Sequence, residues 1–184
     1  MSRFTMLDKL EKAASILPKW LAGEEELGWS SLLIDYDYPH VWRLWRQLDD
    51  DHRVMLHKIF PCSEGLALPH PHPWPSAVRI FIPLNFDGAT YETAVGWASP
   101  EAAESPPLPA TFHISSSSTY EMLDPRAWHY VRPIGSPVYS IMVVGKPFKV
   151  EKQKRFGQGL PKKVLTLAQR ADIIGYFRGL VGVV

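Results

Sequence analysis

Two histidines separated by one residue stand in a proline-rich stretch of the chain. The stretch reads Pro69-His70-Pro71-His72-Pro73-Trp74-Pro75. Side chains of an extended segment alternate between two faces, so His70 and His72 point to the same side. Neutral imidazole is a common ligand for zinc, iron, copper and nickel. The pattern predicts two adjacent positions of a metal site; the alternative is a chance pair without a metal, and a site needs a third ligand.

His129 is the candidate third ligand. It follows the proline-containing turn Asp124-Pro125-Arg126-Ala127, at the start of a strand predicted over residues 128–134. A side chain at the end of a turn is held in place by the strands that flank it. A hairpin predicted at Gly135-Ser136 sets His129 opposite Ile141, which brings Tyr139 within diagonal reach of His129.

The segment after the histidine pair is predicted to be a strand. Its apolar residues fall at even positions, the same parity as the two histidines: Val78, Ile80, Ile82 and Leu84. The sequence Asn85-Phe86-Asp87-Gly88 predicts a hairpin turn that returns residues 89–97 as an antiparallel strand. That register places Tyr91 opposite Ile82 on the inner face and turns Glu92 outward, unless a bulge reverses it. We therefore expect the histidine pair and Tyr91 to look into one interior.

Composition excludes several classes of protein. The chain has 184 residues, 46% hydrophobic and 21% charged, which suits one globular domain. Its net charge of +1 gives no basic footprint for nucleic acid or an anionic membrane. No apolar run approaches the roughly 18 residues of a membrane span. A single cysteine excludes an internal disulfide and no secretory segment opens the chain, so we expect a cytoplasmic protein.

The N-terminal half predicts a helix followed by a β-meander. The helix is amphipathic, starts with a capping box at Thr5, and is expected to end or restart at Pro18. Strands are predicted over residues 31–35, 41–48 and 53–60, with Asp49-Asp50-Asp51 as the turn between the last two. The remaining histidines are interpreted as structural: His40, His52, His57 and His113.

These features resemble the cupin superfamily over roughly residues 31–150. The resemblance rests on the His-x-His-Pro-Trp segment led by Gly65, and on the proline turn that ends in His129. Ser76 and Ala77 stand where the usual metal-binding glutamate would be. The resemblance therefore implies a three-histidine site, as in cysteine-dioxygenase-like cupins, or no site. The expected fold is mostly β: a single cupin-type antiparallel β-barrel (a double-stranded β-helix or jelly roll) with N-terminal and C-terminal helices.

The helical patterns at both ends and the resemblance between them together predict a single domain, and the resemblance implies its chemistry. Residues 1–30 would form a helical extension, 31–150 the barrel, and 151–184 a linker and helix of one domain. His70, His72 and His129 would bind a divalent metal, with iron favoured and zinc, manganese or nickel as alternatives. A mononuclear non-heme iron dioxygenase acting on a small anionic substrate is the leading hypothesis. In it, Tyr91 and Tyr139 act as acid, base or hydrogen-bond donor, and Trp74 forms a pocket wall.

Two other functions fit the same sequence. A non-catalytic cupin that binds a small ligand would explain the missing glutamate as lost chemistry. A sugar epimerase or isomerase would need a carboxylate facing the interior, and none is predicted. Fold alone does not separate these classes.

The C-terminal segment predicts a second helix. Thr166 and Gln169 form a capping box, and an apolar stripe includes Leu167, Ile174 and Phe177. Other apolar residues fall outside the stripe. The helix therefore either contributes to a homodimer contact or lies between the barrel and the N-terminal helix.

Overall fold

The architecture was determined from a computed structural model, which describes the backbone over ten ranges of the chain. These are residues 6–23, 28–34, 40–61, 77–82, 91–97, 110–114, 119–122, 127–133, 135–146 and 163–180. Side chains are described throughout these ranges except between residues 77 and 130 and at residue 132. The predictions for the Thr5 cap, His70, His72 and Trp74 lie outside the described residues.

Two helices and nine strands make up the described fold. The helices are α1 (Met6–Ala22) and α2 (Leu167–Leu180). The strands are β1 (Ser30–Ile34), β2 (Val41–Gln47), β3 (His52–Ile59), β4 (Ala77–Ile82), β5 (Tyr91–Trp97), β6 (Ala110–Ile114), β7 (Thr119–Met122), β8 (Ala127–Pro133) and β9 (Val138–Gly145). They form a six-stranded sheet in the order β1-β2-β3-β9-β4-β7 and a three-stranded sheet in the order β6-β5-β8. Every pairing is antiparallel, so the predicted mostly-β class with flanking helices is confirmed.

The predicted meander β1-β2-β3 is confirmed, including its acidic turn. Asp49 organises this turn, because its Oδ1 accepts the backbone N–H groups of Asp51 at 3.1 Å and His52 at 3.0 Å. Asp49 also binds Lys9 of α1 through Oδ2 at 2.8 Å. The turn therefore both joins two strands and fixes the first helix to the sheet.

The six-stranded sheet has two chemically different faces, because side chains alternate along each strand. The helix-covered face packs against α1 and α2 through an apolar core that includes Leu44, Val54, Leu56, Ile141 and Val143. The opposite face, called the far face below, carries a smaller cluster of Trp45, Met55, Met142 and Val144. The core thus lies mainly between the sheet and the helices.

Helix α1 runs through Pro18 without interruption, contrary to the prediction of an end or restart there. A proline inside a helix costs about 3 kcal/mol, through a lost hydrogen bond and a steric clash. Leu17 and Leu21, on either side of Pro18, are both only 1% exposed. Burying two such side chains contributes about 1.5–3 kcal/mol each, so packing against the sheet offsets the proline.

Both hairpins predicted in the second half of the chain are wrong. β4 pairs with β7 and β9 rather than with β5, and β5 pairs with β6 and β8. β8 and β9 likewise lie in different sheets. Turn residues indicate that the chain reverses direction, but they do not determine which sheet the next strand joins. The shared interior that was expected from those two hairpins is therefore not supported by the observed pairings.

Helix α2 begins with the predicted capping box. The N–H of Thr166 donates to Gln169 Oε1 at 2.9 Å, and the N–H of Gln169 donates to Thr166 Oγ1 at 3.3 Å. Its buried residues are Ile173, Ile174 and Phe177, whereas Leu167 of the predicted stripe is 67% exposed. α2 contacts α1 and strands β2 and β3, as expected for a helix that lies between the sheet and the first helix. The homodimer contact stays a prediction.

Neither described helix combines the length and the apolar character that a bilayer span requires.

Candidate functional site

The structure places the backbone of the predicted third ligand in a strand. His129 lies in β8, as predicted, and its Cα partner across the sheet is Val95 of β5. The segment with His70 and His72 belongs to the chain between β3 and β4, outside the described residues. Among the side chains that are described, no three His, Cys, Asp or Glu residues form a metal-binding group. The three-histidine site stays a prediction.

Tyr91 and Glu92 are placed by backbone register alone. Tyr91 begins β5, where its Cα partners are Ile114 of β6 and Pro133 of β8. Glu92 pairs with His113 and Arg132 in the same two strands. Tyr91 therefore lies in the same sheet as His129. The hairpin with β4, from which the role of Tyr91 was predicted, is not the pairing that β5 makes.

Tyr139 requires a correction. Its side chain is 3% exposed and lies on the helix-covered face, where its hydroxyl donates to Asp172 Oδ1 of α2 at 2.9 Å. Its ring stacks on Tyr176 with centroids 3.7 Å apart and planes 11° apart. The predicted register with His129 is wrong because β9 pairs with β3 and β4 instead of β8. Tyr139 docks α2 on the sheet, and the hairpin from which its place beside His129 was predicted does not exist.

Lys58 adds an ionic contact to the same docking surface. Its Nζ lies 2.8 and 2.9 Å from the two carboxylate oxygens of Asp172. The ammonium group also lies 5.0 Å from the ring centroid of Trp42 and 5.4 Å from those of Phe60 and Tyr139. A cation over aromatic faces gains electrostatic stabilisation. One carboxylate on α2 therefore connects the helix to both β3 and β9.

The two tyrosines of this surface keep their protons at neutral pH. Burial, followed by the hydrogen bond to Asp172 and the charge of that carboxylate, holds the pKa of Tyr139 well above its ordinary value of 10.0. Burial raises the pKa of Tyr176 to about 12. A neutral phenol is a hydrogen-bond donor, and the Tyr139 hydroxyl acts as one toward Asp172.

Two of the histidines interpreted as structural have polar partners that support this reading. His40 Nε2 accepts the indole N–H of Trp42 at 2.9 Å, and its ring packs edge-on against Phe60. His52 Nδ1 lies 2.7 Å from Asp49 Oδ1. Burial would raise the pKa of Asp49, but hydrogen bonds from Lys9, His52 and a backbone N–H hold it well below its usual range.

A buried polar cluster on the far face was missed by the sequence analysis. It spans three neighbouring strands: Arg43 of β2 pairs with His57 of β3, which pairs with Ser140 of β9. His57 is 1% exposed and Ser140 is fully buried. The Nε–H of Arg43 donates to His57 Nε2 at 2.8 Å, and Ser140 Oγ lies 3.5 Å from His57 Nδ1. We call these three residues the Arg-His-Ser cluster.

The hydrogen bonds determine the tautomer of His57. Arg43 can only donate, so Nε2 must accept and the ring proton of neutral His57 must sit on Nδ1. Nδ1–H then points at Ser140 as a donor. His57 therefore cannot take a proton from Ser140, and the pair is not a nucleophilic dyad. The sequence contained one indication of this cluster. The predicted turn at residues 49–51 joins β2 and β3, and its length determines the register that sets Arg43 opposite His57.

No protein-family model matches the sequence, and no curated protein matches it. Several solved structures are weakly similar to this chain, and the three that follow each have a TM-score below 0.5. Hydroxypropylphosphonic acid epoxidase from S. wedmorenis is 8% identical, with a TM-score of 0.46 over 63% of this chain and 55% of the epoxidase. The chain thus spans about half of the epoxidase. KdgF from Halomonas sp. is 10% identical, with a TM-score of 0.45 over 69% of this chain and 93% of KdgF. A cupin domain from Bordetella pertussis is 12% identical, with a TM-score of 0.39 over 59% of this chain and 95% of that domain.

Proposed function

We propose that this protein is a metal-binding cupin whose two sheets form the walls of a cupin-type barrel. The proposed ligands are His70, His72 and His129. The observation that carries the proposal is the position of His129 in β8 of the three-stranded antiparallel sheet, where the sequence Asp124-Pro125-Arg126 precedes the strand. The His-x-His segment stands in the chain that leads into β4 of the other sheet. This placement supports the resemblance on which the ligand set rests.

The proposed donor set fits a divalent first-row metal. Three imidazoles are neutral, borderline ligands of the kind that suit iron, zinc, nickel and copper. Without a carboxylate ligand the site would retain the full charge of the metal ion, which favours an anionic substrate. When bound, iron(II) would supply open positions for dioxygen and substrate.

The finer proposal is a mononuclear non-heme iron dioxygenase that acts on a small anionic substrate. Tyr91 would hold or move a proton near the substrate, and Trp74 would form an apolar wall that excludes water. Tyr139, which docks helix α2, has no part in this mechanism. The protein residues would thus bind and orient the substrate.

Metal analysis tests the binding step. The full chain, purified without added metal, should contain about one equivalent of a first-row metal, and His70→Ala, His72→Ala and His129→Ala should each lose most of it. His52→Gln is the matched control, because His52 is held by Asp49 in the acidic turn. The proposal is wrong if no metal is found or if His129→Ala retains the wild-type content.

Oxygen consumption tests the catalytic step. Iron-loaded protein is assayed with a panel of thiols and small carboxylates. Substrate-dependent consumption that is lost in His129→Ala supports the dioxygenase. A protein that holds metal and binds these compounds without consuming oxygen would instead be the non-catalytic ligand-binding cupin.

A further inference from the structure

We infer that Trp97 is a specificity-determining residue of the proposed metal site and selects an anionic substrate with an apolar body. The inference rests on the proposed function, because it takes His129 as a metal ligand. It deepens that function by naming a class of substrate. The class is small carboxylates whose carbon skeleton is aromatic or aliphatic, as opposed to hydroxylated sugar acids.

Backbone register places Trp97 and His129 on the same face of the three-stranded sheet. The Cα partner of His129 is Val95 of β5, and the partner of Trp97 is Ala127 of β8. Residues two apart in a strand share a face, and so do residues paired across two strands. Trp97 is thus a diagonal neighbour of His129, a separation of roughly 7–8 Å that is within reach of an aromatic side chain.

The same face of the sheet is covered at the positions where burial is described. Val131 and Pro133 follow His129 at intervals of two residues in β8, so they belong to its face. Both are buried, and Val131 is only 5% exposed. A substrate bound on this face would therefore lose most of its contact with water.

The described strands of this sheet place no charged residue on the face of His129. Besides His129, the polar or aromatic residues on that face are Tyr91, Thr93, Trp97 and Phe112. Its other positions are alanine, valine, isoleucine and proline. The face is therefore mainly apolar, and Trp97 is its largest side chain.

The charged residues of these strands fall on the opposite face of the sheet. Glu92 has His113 and Arg132 as its Cα partners, and all three alternate with residues on the face of His129. The pairings of β5 run in unbroken register, so no bulge moves Glu92 across. Within its described strands, this sheet offers neither a carboxylate to the metal nor a cation to the substrate.

This distribution of residues determines which substrate skeleton suits the site. The anionic group would be held at the metal, and the rest of the substrate would meet the apolar face. Hydroxyl groups that leave water without finding a hydrogen-bond partner cost free energy, whereas an aromatic or aliphatic skeleton gains from burial. Tryptophan adds a large flat surface with a preference for other rings. We therefore expect selection for apolar carboxylates.

Binding to the cobalt(II)-loaded full chain, measured by titration calorimetry, tests the class of substrate. Phenylacetate and cyclohexylacetate have an apolar skeleton, whereas 3-hydroxypropionate and 2-deoxygluconate carry hydroxyl groups. All four are monocarboxylates without a hydroxyl on the carbon next to the carboxylate. We expect the two apolar acids to bind at least about tenfold more tightly, because burial of a ring removes apolar surface from water. Equal binding of all four, or tighter binding of the hydroxylated acids, would overturn the inference.

Variants assign the preference to Trp97. Trp97→Ala should weaken phenylacetate binding about tenfold, and Trp97→Phe by less than about threefold because it keeps an aromatic face. Trp128→Ala is the matched control, because Trp128 pairs with Gly96 at the same end of the sheet but on the opposite face. It should bind phenylacetate as the wild type does. Phenylacetate binding that Trp97→Ala leaves unchanged, or that Trp128→Ala weakens equally, would overturn the inference.

Fluorine NMR of the chain labelled with 5-fluorotryptophan tests the position of Trp97 without removing its side chain. The signals are assigned from Trp97→Phe and Trp128→Phe. Paramagnetic broadening falls steeply with distance from the metal, so cobalt(II) should broaden the Trp97 signal more than the Trp128 signal. Zinc(II), which is diamagnetic, should broaden neither. Equal broadening of the two signals by cobalt(II) would contradict the inference.

Metal content separates this inference from the proposed function. A chain that takes up cobalt(II), loses it in His129→Ala and binds all four acids equally would refute the role of Trp97 and leave the metal site intact. A wild-type chain that takes up no metal would refute the proposed function, and the inference with it.

Discussion

The contact between Tyr139 and Asp172 should account for much of the docking of helix α2. A double-mutant cycle that combines Tyr139→Phe with Asp172→Ala tests this contact. Phenylalanine keeps the stacking on Tyr176 and removes only the hydroxyl that donates to Asp172 at 2.9 Å. Alanine also removes the carboxylate that pairs with Lys58. The cycle isolates the hydrogen bond from these other contacts.

The expected magnitude follows from burial and charge. A hydrogen bond to a charged acceptor contributes about 1.5–3 kcal/mol when buried. The Asp172 side chain is 39% exposed, so water replaces part of this, and we expect about 1–2 kcal/mol for Tyr139→Phe. Asp172→Ala should cost more, about 2–3 kcal/mol, because the Lys58 side chain is only 13% exposed and loses its partner. The coupling energy should be about 1 kcal/mol.

Urea unfolding followed by circular dichroism measures these free energies. One kcal/mol corresponds to a shift of about 2–4 °C in Tm for a chain of this length, which gives an independent check. Glu11→Ala, at an exposed position of α1, is the control and should stay within about 0.5 kcal/mol. A coupling energy of zero, or a Tyr139→Phe variant as stable as the wild type, would refute the docking role.

Three further predictions concern the packing of helix α2. Because burial raises the pKa of Tyr176 from 10.0 to about 12 in the folded state, its contribution to stability is present below pH 10 and is lost as the pH rises toward 12. Urea midpoints should therefore fall across that window, in the same direction as the raised pKa of Tyr139 predicts, and a flat profile would contradict this. Phe177→Ala, at a fully buried position of α2, should lower the free energy of unfolding by about 3–5 kcal/mol, whereas Leu167→Ala, 67% exposed, should change it by less than about 0.5 in urea titrations. Gly175→Ala should raise Tm, since a Cβ there meets nothing within 4 Å and alanine favours a helix by about 1 kcal/mol; a lower Tm would show that α2 needs the glycine.

The sequence predicted the local elements well where one pattern dominated. The β-meander, the turn at Asp49 and the capping box of α2 all depend on residues within a few positions of one another. Helix α1 was predicted to end or restart at Pro18, since propensity alone does not include the burial of Leu17 and Leu21. Tertiary packing decided that case.

Long-range pairing was not predictable from turn chemistry. Both turns in the second half were interpreted as hairpins, but each leads from one sheet into the other. That error reversed the environment of Tyr139, whose face is determined by pairing with β3 and β4. It also hid the Arg-His-Ser cluster, because Ser140 comes next to His57 only when β9 joins β3.

The candidate metal site, too, was predictable from the sequence only in part. The motifs predicted the ligand types, and the local pattern predicted the strand that carries His129. That strand is observed as β8. The convergence of three imidazoles depends on how the two sheets face each other. No local pattern in the chain encodes that arrangement.

The most direct measurement for the proposed function is an anomalous diffraction map of crystals of the full chain grown without added metal. Data collected on both sides of the iron, nickel and zinc absorption edges identify the element. The proposal predicts one peak about 2.0–2.2 Å from a ring nitrogen of each of His70, His72 and His129. A map without that peak, with the three imidazoles apart, would contradict the three-histidine site.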